Sequence, residues 1–481
     1  MLFLIHTPFL KLPYFWDELG RYIPAALDLS KTGSFSPHPP GVIAWLAASW
    51  SIAGHAIPVT RIAMLLVAAA GLLVVFLLAI RLSENLRGAP AFVVVMLMVV
   101  SPIFYAQSML ALADLPAMLF TCLALLLFLR DRLVAAAVAC TVLALVKETG
   151  LIVPIVLGGW LLIEKRARDA VYFLAPFCAF GLWMLEVNAH GRIIGNYPFT
   201  RFNLLFLLSP VRFPLALAQR LFTLFVADFR WIGSLAILAA WRGKNIFRTR
   251  DWRIAGSLVG AYVLVFSVYG GAVLERYVLP ALPIVYMAMV AGFSTLARHW
   301  RMAGQFGLVL GLIACNIWYP PYPAPLENNT AFTDFVKLHK TAAEFLEFNY
   351  TGRRILTAWP LGTALSRPEF GYVRHGLEVQ QIPDFHISTL RNVDWSKVDA
   401  LVLYSRHREP EWNLLELDLV RRVAERWYGY EPDLAMPPSG LSVGLEHVGH
   451  WAQGKQWVDV YATSRNTEVK RYFMIQDGMR K

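Results

Sequence analysis

Five short stretches carry residue types that could perform group transfer. Trp16-Asp17-Glu18 sets two carboxylates side by side, with Arg21 and Tyr22 close behind. On a helix Asp17 and Arg21 share one face, as do Glu18 and Tyr22. A carboxylate within reach of a hydroxyl can act as a general base. The plain alternative is an interfacial helix whose acids pair with Arg21 while Trp16 and Tyr22 anchor at lipid headgroups. His38 precedes Pro39 and Pro40, which fix the backbone and end any helix before them. It is either a rigidly presented imidazole for a phosphate or an incidental loop residue. Asp114 stands two residues before Pro116 and fits a helix N-terminus, as a cap or as a second acid. Lys147 and Glu148 interrupt a continuous apolar stretch, where ionisable groups are costly and tend to serve function. The alternative places both at the interface of a tight helical hairpin closed by Gly150. Glu275 and Arg276 precede Tyr277, Pro280 and Pro283. The planar guanidinium of Arg276 suits a phosphate, or it snorkels to headgroups.

The elements that position these groups are apolar. Of 481 residues, 57% are hydrophobic and 16% charged, which fits a polytopic α-helical membrane protein better than a soluble enzyme. Apolar segments run over 59–80, 90–107, 111–129, 133–146, 150–163, 170–187, 221–241, 254–270, 277–297 and 303–319. Residues 41–57 read as an interfacial or re-entrant helix. Residues 2–10 reach only about 14 Å as a helix against a hydrocarbon core of about 30 Å. A complete first span is therefore expected upstream of Met1 or to have been lost. Alternate loops carry Arg81 and Arg87; Arg130 and Arg132; Lys165, Arg166 and Arg168; Arg242, Lys244, Arg248, Arg250 and Arg253; and Arg298 and Arg301. The positive-inside rule makes that side cytoplasmic. The opposite side then receives Asp17, Glu18, His38, Asp114, Lys147, Glu148, Glu275 and Arg276.

The net charge of +11 follows from these loops. No nucleic-acid-binding signature accompanies it, so nucleic acid is excluded as a partner. Cys122, Cys140, Cys178 and Cys315 all lie in apolar blocks, which indicates neither a disulfide framework nor a thiolate metal site. No His/Cys cluster at metal-ligand spacing is evident, and whether a divalent metal takes part is left open.

After Trp318 a proline-rich run, Tyr319–Pro325, reads as a stiff linker to an α/β domain. Helices are expected over 333–349 and 412–427, strands over 354–359 and 399–404, and a closing hairpin over 441–449 and 456–463. Asn328-Asn329-Thr330 and Asn349-Tyr350-Thr351 match glycosylation sequons, a pattern common by chance.

In order along the chain, WDE at 16–18, HPP at 38–40, SPIFYAQSMLALADLPAMLF at 101–120, KETG at 147–150 and RYVLPALP at 276–283 resemble the motifs of multispanning GT-C glycosyltransferases. The similar group contains the protein O-mannosyltransferases and the lipid A aminoarabinose transferase (glycosyltransferase family 39-like). The resemblance covers roughly residues 13–320. It implies an all-α polytopic membrane bundle (GT-C-like) with a C-terminal extracytoplasmic α/β domain. The divisions would be 1–58 (truncated first span and external loop), 59–319 (about ten spans) and 320–481. It further implies inverting transfer of a sugar from a polyprenyl-phosphate donor to an acceptor hydroxyl on a lipid, glycan or protein. The setting would be the outer face of a bacterial inner (plasma) membrane. By position, Asp17 matches the catalytic acid of the first external loop, Glu18 its neighbour, and Asp114 the acid of the second external loop. Lys147 and Arg276 match basic positions near the donor phosphate, and His38 occupies a site where some relatives carry lysine. Arg21 adds a further cation, and Glu148 and Tyr277 complete the group within their motifs. The expected chemistry has Asp17 deprotonating the acceptor while cations stabilise the leaving phosphate. A transporter or flippase of lipid-linked sugars, or a non-catalytic anchor for the C-terminal domain, are the other readings of the same charges.

Overall fold

The computed structural model describes residues 2–190, 209–318 and 325–463, apart from positions 35, 85, 87, 244, 270–273, 409–412, 429, 435, 438–440 and 442. Arg87, Lys244 and nearly all of the proline-rich run therefore lie outside the described residues.

Up to Ala314 the described chain is mostly helical, and its longest helix, Ile57–Ser83, is built largely from leucine, alanine and valine. Among the described residues three helices are long and apolar enough to cross a membrane: Ile57–Ser83, Ala167–Ala189 and Arg250–Val268. Shorter apolar helices include Pro40–Ala53, Ala91–Val100, Asp114–Leu129, Leu133–Val146 and Leu282–Phe293. The expected segments are cut where the backbone cannot continue. The 90–107 stretch breaks at Ser101, because Pro102 forces the residue before it out of helical geometry. The 221–241 stretch is two helices, Arg212–Phe225 and Trp231–Gly243. Between them Asp228 (φ 52°) and Phe229 (φ 62°) adopt left-handed backbone, and Arg230 is buried against Asp228 at 2.9 Å. At one end of the bundle ion pairs gather the basic loops: Arg81 to Asp251 at 2.9 Å, Arg250 to Glu164 at 2.5 Å and Arg166 to Asp131 at 2.9 Å.

Toward the other end the chain is irregular yet buried, at residues 12–15 and 108–113. Backbone polar groups there need partners inside the protein, since apolar surroundings supply none. Arg61 and Glu18, both 0% exposed, provide them. Arg61 pairs with Glu18 at 2.5 Å and donates to the carbonyls of Leu12, Pro13 and Met109. Glu18 accepts from the N–H groups of Phe15 and Ala111, each at 2.7 Å.

The C-terminal part carries a mixed five-stranded sheet: β1 Arg354–Ala358, β2 Glu378–Ile382, β3 Ala400–Tyr404, β4 Leu445–Gln453 and β5 Gln456–Thr463, in the order β2-β1-β3-β5-β4. β1 is parallel to β2 and β3, whereas β5 is antiparallel to β3 and β4. The long helix Ala331–Tyr350 packs on the hairpin through Phe345 and Trp451. Strand β2, Glu-Val-Gln-Gln-Ile, is an edge strand without apolar alternation and was not expected. The helix expected over 412–427 is instead a short helix, Asp418–Val423, between tighter and wider single turns.

The first loop docks on this sheet domain. Tyr14 N donates to the Phe370 carbonyl at 3.3 Å, and Tyr372 donates its hydroxyl to the Tyr14 carbonyl at 2.9 Å. Phe15 lies against Phe332 and Phe335.

Removing one member of a buried ion pair costs about 3–5 kcal/mol. Arg61→Met or Glu18→Leu alone should lower the thermal midpoint of the detergent-solubilised protein sharply. The double variant should recover little, because three carbonyls and two N–H groups still lose their partners. A double variant as heat-resistant as the parent would show that backbone satisfaction is not what the pair provides.

Candidate active site

Trp16 decides which way its two acidic neighbours point. Its backbone is left-handed (φ 42°), a conformation costing a side-chain-bearing residue about 1–2 kcal/mol. Ring contacts to Trp359 at 5.0 Å and Phe335 at 5.7 Å hold it there. Glu18 turns to Arg61, whereas Asp17 turns to Arg276, with Oδ2 at 2.5 Å from Nη2. Glu18, expected with the reacting groups, is not brought to Arg276: its oxygens are occupied by Arg61 and two backbone N–H groups.

Asp114 opens the helix Asp114–Leu129, whose N-terminal dipole favours a carboxylate. Its Oδ1 accepts a short hydrogen bond from Lys147 Nζ, and its Oδ2 lies 3.5 Å from Arg276 Nε. Lys147 adopts extended backbone between the helix Leu133–Val146 and the turn Glu148–Leu151. Gly41 of the His38-Pro-Pro-Gly stretch makes that corner possible, since a Cβ there would come within 2.9 Å of the Leu145 carbonyl. Arg276 lies in the turn Glu275–Val278, ahead of Pro280 and Pro283. Asp17, Arg276, Asp114 and Lys147 thus form one alternating chain of charges, with Arg276 and Asp114 buried and Asp17 and Lys147 partly so. Lys147 Nζ also stands 4.4 Å from the Tyr277 ring centroid, a cation–π contact.

The remaining expected residues sit at graded distance from this chain. Arg21, 43% exposed at its side chain, is 4.0 Å from Asp17. His38 is half-buried; burial, then Arg21, holds its imidazole below the usual range, so it is neutral near pH 7. Glu148 is exposed and makes no ion pair among the described residues. Glu275 makes no ion pair with Arg276, and burial, then Asp228, lifts its carboxyl to about 7.

Two more groups lie beside the chain: Glu327, which the sequence does not single out, and Tyr22, which it places only as a headgroup anchor. Glu327, in the turn Leu326–Asn328 past the proline-rich run, lies 3.7 Å from Arg276 Nη1. Burial lifts its carboxyl above the usual range although Arg276 opposes the shift. Nothing in the sequence connects it to residues some fifty positions earlier; only the docking of the two parts does. Tyr22 is kept a neutral phenol by burial and by Asp114 and Asp17. Asn328, the acceptor position of the first sequon, is buried beside Glu327.

For Asp17 burial alone would raise the carboxyl, but Arg276 and Arg21 together outweigh it and the net position is below the ordinary range. The cluster holds three carboxylates against two largely buried cations, Arg276 and Lys147. A divalent metal at Asp17 or Asp114 would have to displace a cation already paired there. A different group, His447, His450 and Asp459, brings three metal-ligand atoms within 4.8 Å of one another, which corrects the reading that no such cluster exists.

No family model matches the sequence, and no curated protein is similar to it by sequence. By structure the chain is similar to ArnT from Cupriavidus metallidurans in the apo state, with a TM-score of 0.55 at 14% identity over 95% of this chain and 97% of that one. It is similar also to ArnT from the same organism bound to undecaprenyl phosphate, with a TM-score of 0.53 at 13% identity over 94% of both chains. A fainter likeness to the oligosaccharyltransferase AglB of Archaeoglobus fulgidus, with a TM-score of 0.46 at 11% identity over 81% of this chain and 65% of that one, carries no weight here. The chain shares the fold of ArnT: a body of apolar helices followed by a C-terminal mixed sheet.

Proposed function

We propose that this membrane protein is a glycosyltransferase that moves a sugar from a polyprenyl-phosphate donor to an acceptor hydroxyl, with inversion, at the extracytoplasmic face. The observation that carries the proposal is the largely buried chain Asp17–Arg276–Asp114–Lys147 beneath the C-terminal sheet domain. Two carboxylates suited to take a proton are held by two cations suited to take a phosphate. The shared fold supports the reading, because ArnT has been seen with undecaprenyl phosphate bound. On this reading residues 59–319 form the multispanning body, 320–481 the external domain, and the loops gathered by Arg81, Arg166 and Arg250 face the cytoplasm.

The chemistry follows from charge exchange. With no donor bound, Arg276 and Lys147 are spent on Asp17 and Asp114, and Asp17 is a weak base. An entering donor phosphate competes for both cations. As they turn to it, Asp17 loses its counter-ion while staying largely buried, and its basicity rises. The acceptor oxygen then attacks the anomeric carbon, and its proton passes to Asp17. The anomeric C–O bond breaks with its electron pair on the phosphate, where Arg276 and Lys147 stabilise the charge. The leaving group is already an anion, so no proton is needed there. Arg21, half-exposed beside Asp17, and neutral His38 line the approach. A flippase would place such charges nearer the midplane between repeats.

Asp17→Asn should reduce transfer from a polyprenyl-phosphate sugar in proteoliposomes by about 10²–10⁴-fold, with protein abundance unchanged. Full transfer in that variant would eliminate Asp17 as the base. The pH profile supplies an independent check. A carboxyl held low by Arg276 stays ionised well into acid, so the acid limb of kcat/KM for the parent should fall below the ordinary carboxylate range. In Arg276→Gln burial acts with less opposition, and that limb should move up in pH while the donor KM rises. An acid limb at the same pH in both proteins would contradict the coupling of Asp17 to Arg276.

A further inference from the structure

Strands β4 and β5 form an antiparallel hairpin in which His447 and His450, three residues apart, should face opposite sides of the sheet. They do not. His447 pairs with Tyr461, but Gly449 pairs with Val460 and His450 with Asp459, so Val448 is an extra residue in β4. This bulge returns His450 to the face that carries His447 and Asp459. Gly449 is needed beside it, since a Cβ there would come within 2.6 Å of the Trp451 ring.

The outcome is convergence. His447 Nε2 lies 2.9 Å and His450 Nδ1 2.7 Å from the same oxygen, Oδ1 of Asp459. Asp459 is buried, whereas the two imidazoles are about half exposed, at 47% and 53%. The ring of His447 rests on Tyr461 at 5.0 Å, which fixes its direction. Hydrogen bonding alone would leave two imidazoles sharing one acceptor oxygen. Two imidazole nitrogens and one carboxylate oxygen, with solvent on the open side, also make a three-ligand site of the kind zinc occupies with a fourth position free.

We propose that His447, His450 and Asp459 bind one Zn²⁺, held by both imidazole nitrogens and the carboxylate, with an open position facing solvent. The ion ties edge strand β4 to β5 across the bulge, and thereby to β3 and the centre of the sheet. The site shares no residue with the Asp17–Lys147 cluster, and the proposal does not depend on the transferase reading.

The test uses the purified full-length protein in detergent, stripped with a chelator and titrated with ZnCl₂ alone. After desalting, elemental analysis should find one more zinc per chain in the parent than in the His447→Ala/His450→Ala variant. Zinc held elsewhere cancels in this difference. Asp459→Asn should weaken binding by at least roughly tenfold. Zinc should raise the thermal midpoint of the stripped parent and leave that of the double variant unmoved. Should either variant fail to fold, Co²⁺ added to the stripped parent decides the matter. Intense visible bands of four-coordinate cobalt, removed by one equivalent of zinc, would support the site, and their absence would overturn it. Equal zinc content in parent and double variant would overturn it as well.

Discussion

Irregular backbone cannot lie among apolar helices unless something inside the protein meets its hydrogen bonds. Here the buried Arg61–Glu18 pair meets that constraint, and much of the architecture follows from it. Arg61 projects from the long helix Ile57–Ser83 into the gap between two non-helical segments and donates to both. Glu18 closes the same gap from the other side by accepting from Phe15 and Ala111. The pair therefore fixes where residues 12–18 enter the bundle and where the chain turns before Asp114. Those two points carry the acids of the candidate site. A buried ion pair is seldom a gain in stability by itself. Its use here is to fix geometry, with stability following from the backbone groups that it satisfies.

The two charge clusters differ in a way that bears on function. Arg61 and Glu18 are matched in number and inaccessible. The Asp17–Arg276–Asp114–Lys147 chain, with Glu327, has more carboxylates than buried cations and a half-exposed arginine at its edge. Polar capacity is left over around it: Gln107 donates to the Glu327 carbonyl while its own oxygen, like both side-chain polar atoms of Asn328, has no protein partner. With carboxylates in excess, the cluster takes up a phosphate on the proposed reading only as Arg276 and Lys147 are drawn away from Asp17 and Asp114. On that reading the ion pairs hold the carboxylates and cations to each other until the donor binds.

The sequence reveals the side on which residues gather more readily than their contacts. Crossing parity alone places Asp17, Asp114, Lys147 and Arg276 together, because each ends an apolar stretch at the same parity. Their pairing in one chain needed the fold. Glu18 is adjacent to Asp17 yet faces elsewhere, since the left-handed backbone of Trp16 is set by aromatic packing against Phe335 and Trp359 from distant sequence. Arg61 was visible as a lone charge in an apolar span and could have been read as a buried partner. Glu327 was not legible, because its position depends on how the segment after the proline run returns to the bundle. Helix lengths were overestimated where hydropathy continues through a break, as at Ser101 and at Asp228–Phe229. The hairpin histidines show the same limit at smaller scale: period-two alternation separates them, and one inserted residue brings them together.

The direct measurement is a structure of the protein with polyprenyl phosphate bound. Charge exchange predicts phosphate oxygens within hydrogen-bonding distance of Arg276 and Lys147, with the Asp17 carboxylate released from Arg276 and facing the space beside the phosphate. A phosphate seated elsewhere, with the Asp17–Arg276 and Asp114–Lys147 pairs intact, would contradict it.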